Sequence, residues 1–310
     1  MSSHVTDTIM MIRPFGFAYN IETAKDNVYQ NLDASFSSKD VSEKAKLEFD
    51  LFVNVLKKAH INVIEFNDSN NEYTPDSVFP NNWISTHLDG TIHLYPMYAA
   101  NRRLERRADI LRYLKKNFIV NNINKNFLQY ELQNKFLEGT GSLVLDRENR
   151  IAYACISNRT NQSLLIEWCT NMQFKPCFFT AKDSGQHVYH TNVVMSVCQD
   201  MVFVCLDCIT NILERNELVK MINSTHKQII NISFSQMNSF LGNVLELKNK
   251  YGDSFLVMST TAFNTLSDSQ KKIINKKNSI LHSPLHTIEY FGGGSARCMI
   301  AEIFLNPLTE

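Results

Sequence analysis

Three side chains that could supply a nucleophile, a proton carrier and an orienting carboxylate stand in short polar or glycine-rich stretches of this chain. Cys298 lies in "GGGSARCM", which uses three of the chain's 10 glycines. Adjacent glycines allow positive φ and close backbone approach, so the run predicts a tight loop presenting the next side chains. A free thiol has a pKa of about 8.5 and needs help to ionise at neutral pH. His190 in "YHTN" could take its proton, and Glu138 in "LEGTG" could orient the imidazole.

The same side chains occupy matching positions of an internal repeat with a period of about 50 residues. Five segments share a polar or glycine-bearing lead followed by an apolar, strand-like run: "FPNNWISTHLDGTIHLYP", "LEGTGSLVLDRENRIAYACIS", "YHTNVVMSVCQDMVFVCLD", "FLGNVLELKNKYGDSFLVMS" and "GGGSARCMIAEIFL". The first four are each predicted to form a β-hairpin. The fifth lacks a second strand, which "TIMMIRP" at residues 8–14 could supply by joining the two ends of the chain.

Helices are predicted between these hairpins. Residues 42–59 place apolar side chains at helical spacing, with Ser42 or Asp40 as the N-cap. Similar patterns cover residues 101–117, 161–172 and 267–278. Because every repeat then carries a helix, the pattern favours a five-fold pseudosymmetric α/β propeller over an all-β one, forming a single domain over residues 1–310.

A ring of this kind would bring the five leading segments, the polar stretches before the first strand of each unit, to one axis. Their side chains with chemical potential should therefore converge: Asp76, Phe79, Asn81, Asn82, Glu138, His190, Asn192, Asn243 and Cys298.

Charge and composition favour a small-molecule partner. Lysine plus arginine and aspartate plus glutamate both number 31, so no net field attracts nucleic acid or an anionic membrane. No apolar run approaches the ~18 residues that span a bilayer, and no signal pattern is present, so we expect a cytoplasmic protein. The seven cysteines stand in apolar runs typical of reduced core residues. "CLDC" at 205–208 has the spacing of a metal or redox site, but no second cysteine pair follows, so neither a metal nor a cofactor is predicted. The sequence is also compatible with a homo-oligomer.

The combined motifs resemble the pentein superfamily of guanidino-modifying enzymes, which includes arginine deiminases, dimethylarginine dimethylaminohydrolases and amidinotransferases. Within it, the bacterial citrulline-utilisation hydrolases, or citrullinases, are the most similar, through "MIRP", "FPNNWISTH", "LYPMYAANRRLERR", "LEGTGSLVLD", "YHTNVVMSV" and "GGGSARCMIAEIFL". The resemblance covers nearly the whole chain and implies the same five-fold α/β propeller. It also implies that Cys298 attacks the central carbon of the substrate, that His190 handles protons and that Glu138 holds the histidine.

Two departures from the guanidino-processing pattern bear on the substrate. Where deiminases and amidinotransferases typically have aspartates, this chain has Asn82 and Asn192. A guanidinium is a cation that presents only donors, whereas a neutral ureido group presents a carbonyl acceptor and N–H donors. Amides both donate and accept, and a cation buried without its counter-charge costs roughly 3–5 kcal/mol. We therefore expect hydrolysis of citrulline to ornithine, carbon dioxide and ammonia.

The two ends of an amino-acid substrate also have candidate partners. "ISNRTNQS" at 156–163 resembles the dimethylarginine dimethylaminohydrolase segment whose arginine grips the α-carboxylate, which implies that role for Arg159. Arg103, within "NRRLERR", is a second candidate. By the same resemblance Asp76 meets the α-amino group and Phe79 walls the aliphatic stem. Two alternatives stay open: an arginine deiminase or amidinotransferase, and a non-catalytic binding pentein, against which the nucleophile, base and acid argue.

Overall fold

The computed structural model describes residues 5–69 and 72–308, in which short strands and helices alternate. Its strands are β1 (Thr8–Arg13), β2 (Asn62–Asn67), β3 (Ile84–Thr86), β4 (Thr91–Leu94), β5 (Asn122–Asn124), β6 (Val144–Asp146), β7 (Ile151–Cys155), β8 (Lys175–Phe179), β9 (Lys182–Asp183), β10 (Gln186–His187), β11 (Met195–Val197), β12 (Met201–Val204), β13 (Gln228–Asn231), β14 (Leu245–Lys248), β15 (Ser254–Ser259), β16 (Ser279–Ser283) and β17 (Ala301–Glu302).

Five three-stranded sheets repeat one topology. Their strand orders are β17-β1-β2, β3-β4-β5, β6-β7-β8, β11-β12-β13 and β14-β15-β16. In each sheet the first strand pairs antiparallel with the second, and the second pairs parallel with the third. The four predicted hairpins are confirmed, and strands β9 and β10 add a small separate hairpin. The result is a mixed α/β fold built from five equivalent units.

The predicted strand within residues 8–14 is also confirmed. β1 pairs antiparallel with β17, with Ile9 opposite Glu302 and Met10 opposite Ala301, and it pairs parallel with β2. Because both faces of this central strand are covered, its sequence is an apolar run rather than an alternating one. Segments almost the whole length of the chain apart thus complete one sheet.

The helices lie between the strands of these sheets in sequence. They are α1 (Ser38–Lys58), α2 (Ala108–Asn117), α3 (Gly139–Ser142), α4 (Gln162–Met172), α5 (Thr191–Val194), α6 (Ile212–Asn223), α7 (Phe234–Asn238), α8 (Thr260–Thr265), α9 (Asp268–Ile274) and α10 (His286–Gly292). Short 3-10 turns cover Pro80–Asn82, Asn101–Glu105, Asn126–Gln133 and Leu206–Cys208.

Helix α1 begins earlier than its sequence pattern indicated. Ser37 is the N-cap, so the predicted caps Ser42 and Asp40 are wrong. The Ser37 hydroxyl accepts from the backbone N–H of Asp40, and the Asp40 carboxylate accepts from the backbone N–H of Ser37. Asp40 therefore completes a capping box from inside the helix. The early start is favoured because Val41 already belongs to the buried face of the helix.

The predicted helix over residues 101–117 is divided in two. A 3-10 turn at Asn101–Glu105 precedes α2, and the residues between them leave the helical conformation. In this turn Arg102 and Glu105 are both buried and paired, with Nε and Oε1 2.9 Å apart. The interior ion pair holds the turn against the core, so α2 starts as a separate element. The predicted helices at 161–172 and 267–278 correspond to α4 and to α9, which ends four residues early.

The leading segments meet one another through hydrogen bonds between consecutive units. Thr140 Oγ1 donates to the Asn81 carbonyl, Thr191 Oγ1 to the Ser142 carbonyl, Asn243 Nδ2 to the Asn192 carbonyl, and the Arg297 N–H to Asn243 Oδ1. Each bond joins the segment of one sheet to that of the next along the chain. This chain of bonds gathers the polar side chains in one place.

Candidate active site

A small buried cavity lies where the leading segments converge. Its lining is formed by Thr23, Asn27, Asp76, Phe79, Asn82, Arg102, Arg159, Tyr189, His190, Gly292, Gly294 and Cys298. Eleven side chains were singled out in the sequence, and six of them line this cavity directly. Three more touch that lining, since Glu138 bonds to His190, and Asn192 and Asn243 bond to Cys298. Asn81 and Arg103 are not among the lining residues.

Cys298 is presented by a glycine-rich loop that follows α10. Gly293 ends the helix in the left-handed conformation, with φ +62°, which favours glycine because a side chain would be strained there. The thiol is 3% exposed, and two amides donate to its Sγ, Asn192 Nδ2 at 3.3 Å and Asn243 Nδ2 at 3.2 Å. The loop therefore places a buried sulfur opposite N–H donors from two other units.

His190 and Glu138 form a buried pair, with Nε2 and Oε2 2.8 Å apart. Burial opposes ionisation of Glu138, but the nearby Arg159 charge and the His190 hydrogen bond outweigh it and lower the pKa to about 2. Burial lowers the pKa of His190, although Glu138 acts against that shift. The pair is therefore a carboxylate and a neutral imidazole that donates from Nε2. Within the described chain nothing bonds to Nδ1, which is left free to accept a proton.

The Asn82 amide is oriented by an arginine that the sequence motifs did not single out. Arg102 Nη1 donates to Asn82 Oδ1 at 2.8 Å. A guanidinium can only donate, so the oxygen must face it and Nδ2 must point away. Nδ2 is buried and has no hydrogen-bond partner among the described residues. A side chain at Gly141 would collide there, since its β-carbon would lie 2.4 Å from Asn82 Nδ2 and 2.8 Å from His190 Nδ1. The free donor and the free imidazole nitrogen thus border the same small space.

Asp76 and Phe79 line the cavity as predicted. Asp76 Oδ2 accepts from Asn20 Nδ2 at 2.7 Å and from Thr23 Oγ1 at 3.1 Å, while Oδ1 is buried without a partner in the described chain. Burial raises the pKa of Asp76, with Arg102 acting in the opposite direction. The Phe79 ring packs edge-on against Phe17 with centroids 6.5 Å apart. One wall is therefore polar and incompletely satisfied, and the other is apolar.

Arg159 lines the cavity but is already paired with carboxylates. Its Nε and Nη2 donate to Asp26, Nη2 also donates to the Thr23 carbonyl, and Nη1 lies 3.7 Å from Glu138 Oε2. Asp26 and Thr23 belong to the stretch between β1 and α1, which the sequence motifs did not include in the site. Contact of Arg159 with a substrate carboxylate stays a prediction.

Arg103 is not among the residues that line the cavity, and its contact with a substrate stays a prediction. Its Nε donates to the Met97 carbonyl at 3.0 Å and lies 3.6 Å from Glu131 Oε2. Successive residues of a 3-10 turn diverge by a third of a revolution, so Arg102 and Arg103 cannot face the same way. Arg102 is the member of the arginine cluster that lines the site.

Other signals in the sequence stay outside the site. All seven cysteines are buried and free, and Cys208 of "CLDC" donates to the Cys205 carbonyl. Within residues 5–69 and 72–308, no group of three His, Cys, Asp or Glu side chains is arranged to hold a metal ion. Over the same ranges no helix combines the length and apolarity needed to cross a membrane.

Solved structures with the same fold include three related sets of proteins. ArgZ, an arginine dihydrolase of the cyanobacterial ornithine-ammonia cycle, aligns with TM-score 0.73 and 16% identity over 97% of this chain and 41% of ArgZ. AgrE in complex with ornithine and NAD+ aligns with TM-score 0.72 and 17% identity over 98% and 40%. A dimethylarginine dimethylaminohydrolase variant in adduct with S-methyl-L-thiocitrulline aligns with TM-score 0.65 and 12% identity, over 96% of this chain and 99% of that enzyme's chain. The chain therefore spans about two fifths of the ArgZ and AgrE chains, and these low identities establish the fold alone.

Sequence comparison adds the family. A search of curated proteins found no significant match. The family model described as "N,N dimethylarginine dimethylhydrolase, eukaryotic" matches residues 13–305, which is nearly the whole described chain. The chain belongs to this dimethylarginine dimethylaminohydrolase-like family of the pentein superfamily.

Proposed function

We propose that the protein is a cysteine hydrolase that converts L-citrulline to L-ornithine, carbon dioxide and ammonia. The observation that supports this most directly is the Asn82 amide. Arg102 holds its oxygen, so the group offered to the cavity is an unpartnered N–H donor. A ureido carbonyl accepts such a bond, whereas a guanidinium has only N–H donors and no acceptor.

The same reasoning extends to Asn192. Its Nδ2 donates to Cys298 Sγ, and its Oδ1 is buried without a partner among the described residues. This oxygen suits an N–H of the ureido group. Together the two asparagines present one donor and one acceptor where a guanidinium would call for negative charge, so they support a neutral substrate.

The chemistry follows from the neutral His190. Its Nδ1 takes the thiol proton of Cys298, and the resulting thiolate attacks the ureido carbon to give a tetrahedral adduct. The imidazolium returns that proton to the departing nitrogen, with Glu138 stabilising the transient positive charge. Water then attacks the remaining thioester-like carbonyl, the C–S bond breaks and the thiol is restored. Expulsion of either nitrogen first balances to ornithine, ammonia and carbon dioxide after loss of carbon dioxide from the carbamate.

The amino-acid portion of the substrate has partners of matching charge. Asp76, with its unpartnered Oδ1, suits an ammonium, and Arg159 suits a carboxylate. Phe79 supplies an apolar wall for the stem. Asn20 and Thr23 bond to the other oxygen of Asp76, and Asp26 bonds to Nε and Nη2 of Arg159, so Asp76 Oδ1 and Arg159 Nη1 are the atoms offered to the substrate.

Hydrolysis of arginine is the second candidate. It is favoured by the family match and by the fold shared with ArgZ, which is described as an arginine dihydrolase. The Asp76 Oδ1 atom, which has no hydrogen-bond partner among the described residues, would also suit a cationic substrate. The two candidates share the nucleophile and the His–Glu pair, and differ in the charge beside the reacting carbon.

A substrate panel separates them. Purified protein is given citrulline, arginine, agmatine and methylated arginines, and ornithine, citrulline and ammonia are quantified, with Cys298→Ala as the matched blank. We expect ornithine and ammonia in equal amounts from citrulline and at least tenfold lower kcat/KM on arginine. A tenfold preference for arginine would change the assignment to an arginine hydrolase. Turnover that persists in Cys298→Ala would refute the role of Cys298 as the nucleophile.

A further inference from the structure

The side chain of Asn243 makes four hydrogen bonds, all to groups around the Cys298 thiol. Its Oδ1 accepts from the backbone N–H of Arg297 at 3.1 Å and from that of Cys298 at 3.3 Å. Its Nδ2 donates to the Asn192 carbonyl at 2.9 Å and to Cys298 Sγ at 3.2 Å. The side chain is 1% exposed, so none of these bonds competes with solvent.

The orientation of this amide is determined by its neighbours. Backbone N–H groups can only donate, so the Asn243 oxygen must face Arg297 and Cys298, and its NH2 group must face the Asn192 carbonyl and the sulfur. A buried amide with all four bonds made has one stable arrangement. The N–H directed at the sulfur is therefore a fixed feature of the loop.

Asn192 Nδ2 directs a second donor at the same sulfur, at 3.3 Å. A neutral thiol is a weak acceptor, whereas a thiolate is a strong one, so two converging N–H groups stabilise the anion more than the thiol. A cation beside the sulfur would do the same, but Arg159 and Arg102 bond to Asp26 and Glu105. The two amide donors therefore contribute to this stabilisation whatever the charge of the substrate.

We propose that Asn243 is a positioning residue that fixes the nucleophile loop and, together with Asn192, stabilises the Cys298 thiolate through N–H donation. The proposal rests on the proposed role of Cys298 as nucleophile and is independent of the substrate. No substrate is needed to test it, because the pH dependence of thiol alkylation reports the thiolate directly.

The test compares wild type with Asn243→Ala and the isosteric Asn243→Asp. Iodoacetamide is added across pH 5 to 10, and modification of the peptide that contains Cys298 is followed by mass spectrometry. Loss of one N–H to the anion should raise the midpoint of alkylation by about one pH unit, or tenfold less thiolate at neutral pH. Asn243→Asp should raise it further, since its second oxygen faces the sulfur with negative charge.

Asn278→Ala is the matched control. Asn278 is also buried and hydrogen-bonded, through Nδ2 to Glu246 Oε1 at 2.7 Å, but it does not line the cavity. Its midpoint should equal that of wild type even where its melting temperature falls. An unchanged midpoint in either folded Asn243 variant overturns the proposal. A shifted midpoint in a protein that fails to hydrolyse citrulline refutes the proposed substrate while leaving the role of Asn243 intact.

Discussion

Replacing Asn82 by Asp changes the one group that most separates a ureido from a guanidinium substrate. In the wild type, Arg102 Nη1 lies 2.8 Å from Asn82 Oδ1. The variant keeps this bond and exchanges the free N–H donor for a second carboxylate oxygen. Arg102 supplies the counter-charge that keeps this carboxylate ionised. A ureido carbonyl then loses a buried hydrogen bond and faces an acceptor, which costs roughly 1.5–3 kcal/mol. At about 1.4 kcal/mol per factor of ten, kcat/KM for citrulline should fall by about 10- to 100-fold.

Arginine should respond in the opposite direction, because its guanidinium gains a charged acceptor of comparable strength. The assay is the initial rate of ornithine release, measured for each substrate over a concentration series, with KM taken separately from kcat. Asn82→Ala is the control, since it removes the donor without adding charge and should impair citrulline without helping arginine. If Asn82→Asp, folded as judged by circular dichroism, retains citrulline kcat/KM within threefold of wild type, the amide argument is refuted.

Three further outcomes are expected. Arg159→Ala removes the counter-charge of the buried Glu138 carboxylate and the partly buried Asp26 carboxylate, and should lower the urea-derived free energy of unfolding by about 3–5 kcal/mol. Arg159→Lys should recover part of this loss, and a loss below 1 kcal/mol in Arg159→Ala would contradict the pairing. Because the pKa of Glu138 is lowered to about 2, its ionised form stabilises the fold at pH values above the ordinary pKa of a glutamate, and this contribution is lost as the pH falls towards 2. The difference in melting temperature between wild type and Glu138→Gln should therefore close over that pH range, and a constant difference would disprove the linkage. Ser37→Ala removes the α1 cap and should cost about 1 kcal/mol by thermal unfolding, whereas Ser42→Ala should lack this capping effect.

The repeat was the part of the fold most readable from sequence. Each unit combines turn residues with apolar runs of strand length, and a local pattern copied five times is hard to mistake. Pairing of β1 with β17 could also be anticipated, because one unit lacked a strand and one apolar run lacked a partner. The start of α1 was missed because several adjacent residues are acceptable caps, and burial of Val41 decides among them.

Within the site, the repeat located residues but could not orient them. Arg102 and Arg103 are neighbours of the same type, and only the 3-10 turn determines which one faces inward. Asp26 carries no local signal, because its partner Arg159 lies 133 residues away in the sequence. Asn243 was identified by position alone, since three of the four bonds of its side chain are to backbone groups, whose placement no side-chain pattern reveals.

Joining β1 to β17 has a consequence for biosynthesis. β1 is made long before its antiparallel partner, which emerges only once residues 301–302 have been made, so this sheet stays incomplete while the chain between them is synthesised. Cys298 stands just before that closing strand, on the loop that Asn243 holds. The Cys298 thiol is therefore synthesised only just before the strand that completes the sheet, and a chain interrupted before residue 298 lacks both. The order of synthesis thus couples the arrival of the proposed nucleophile to the closing of the sheet.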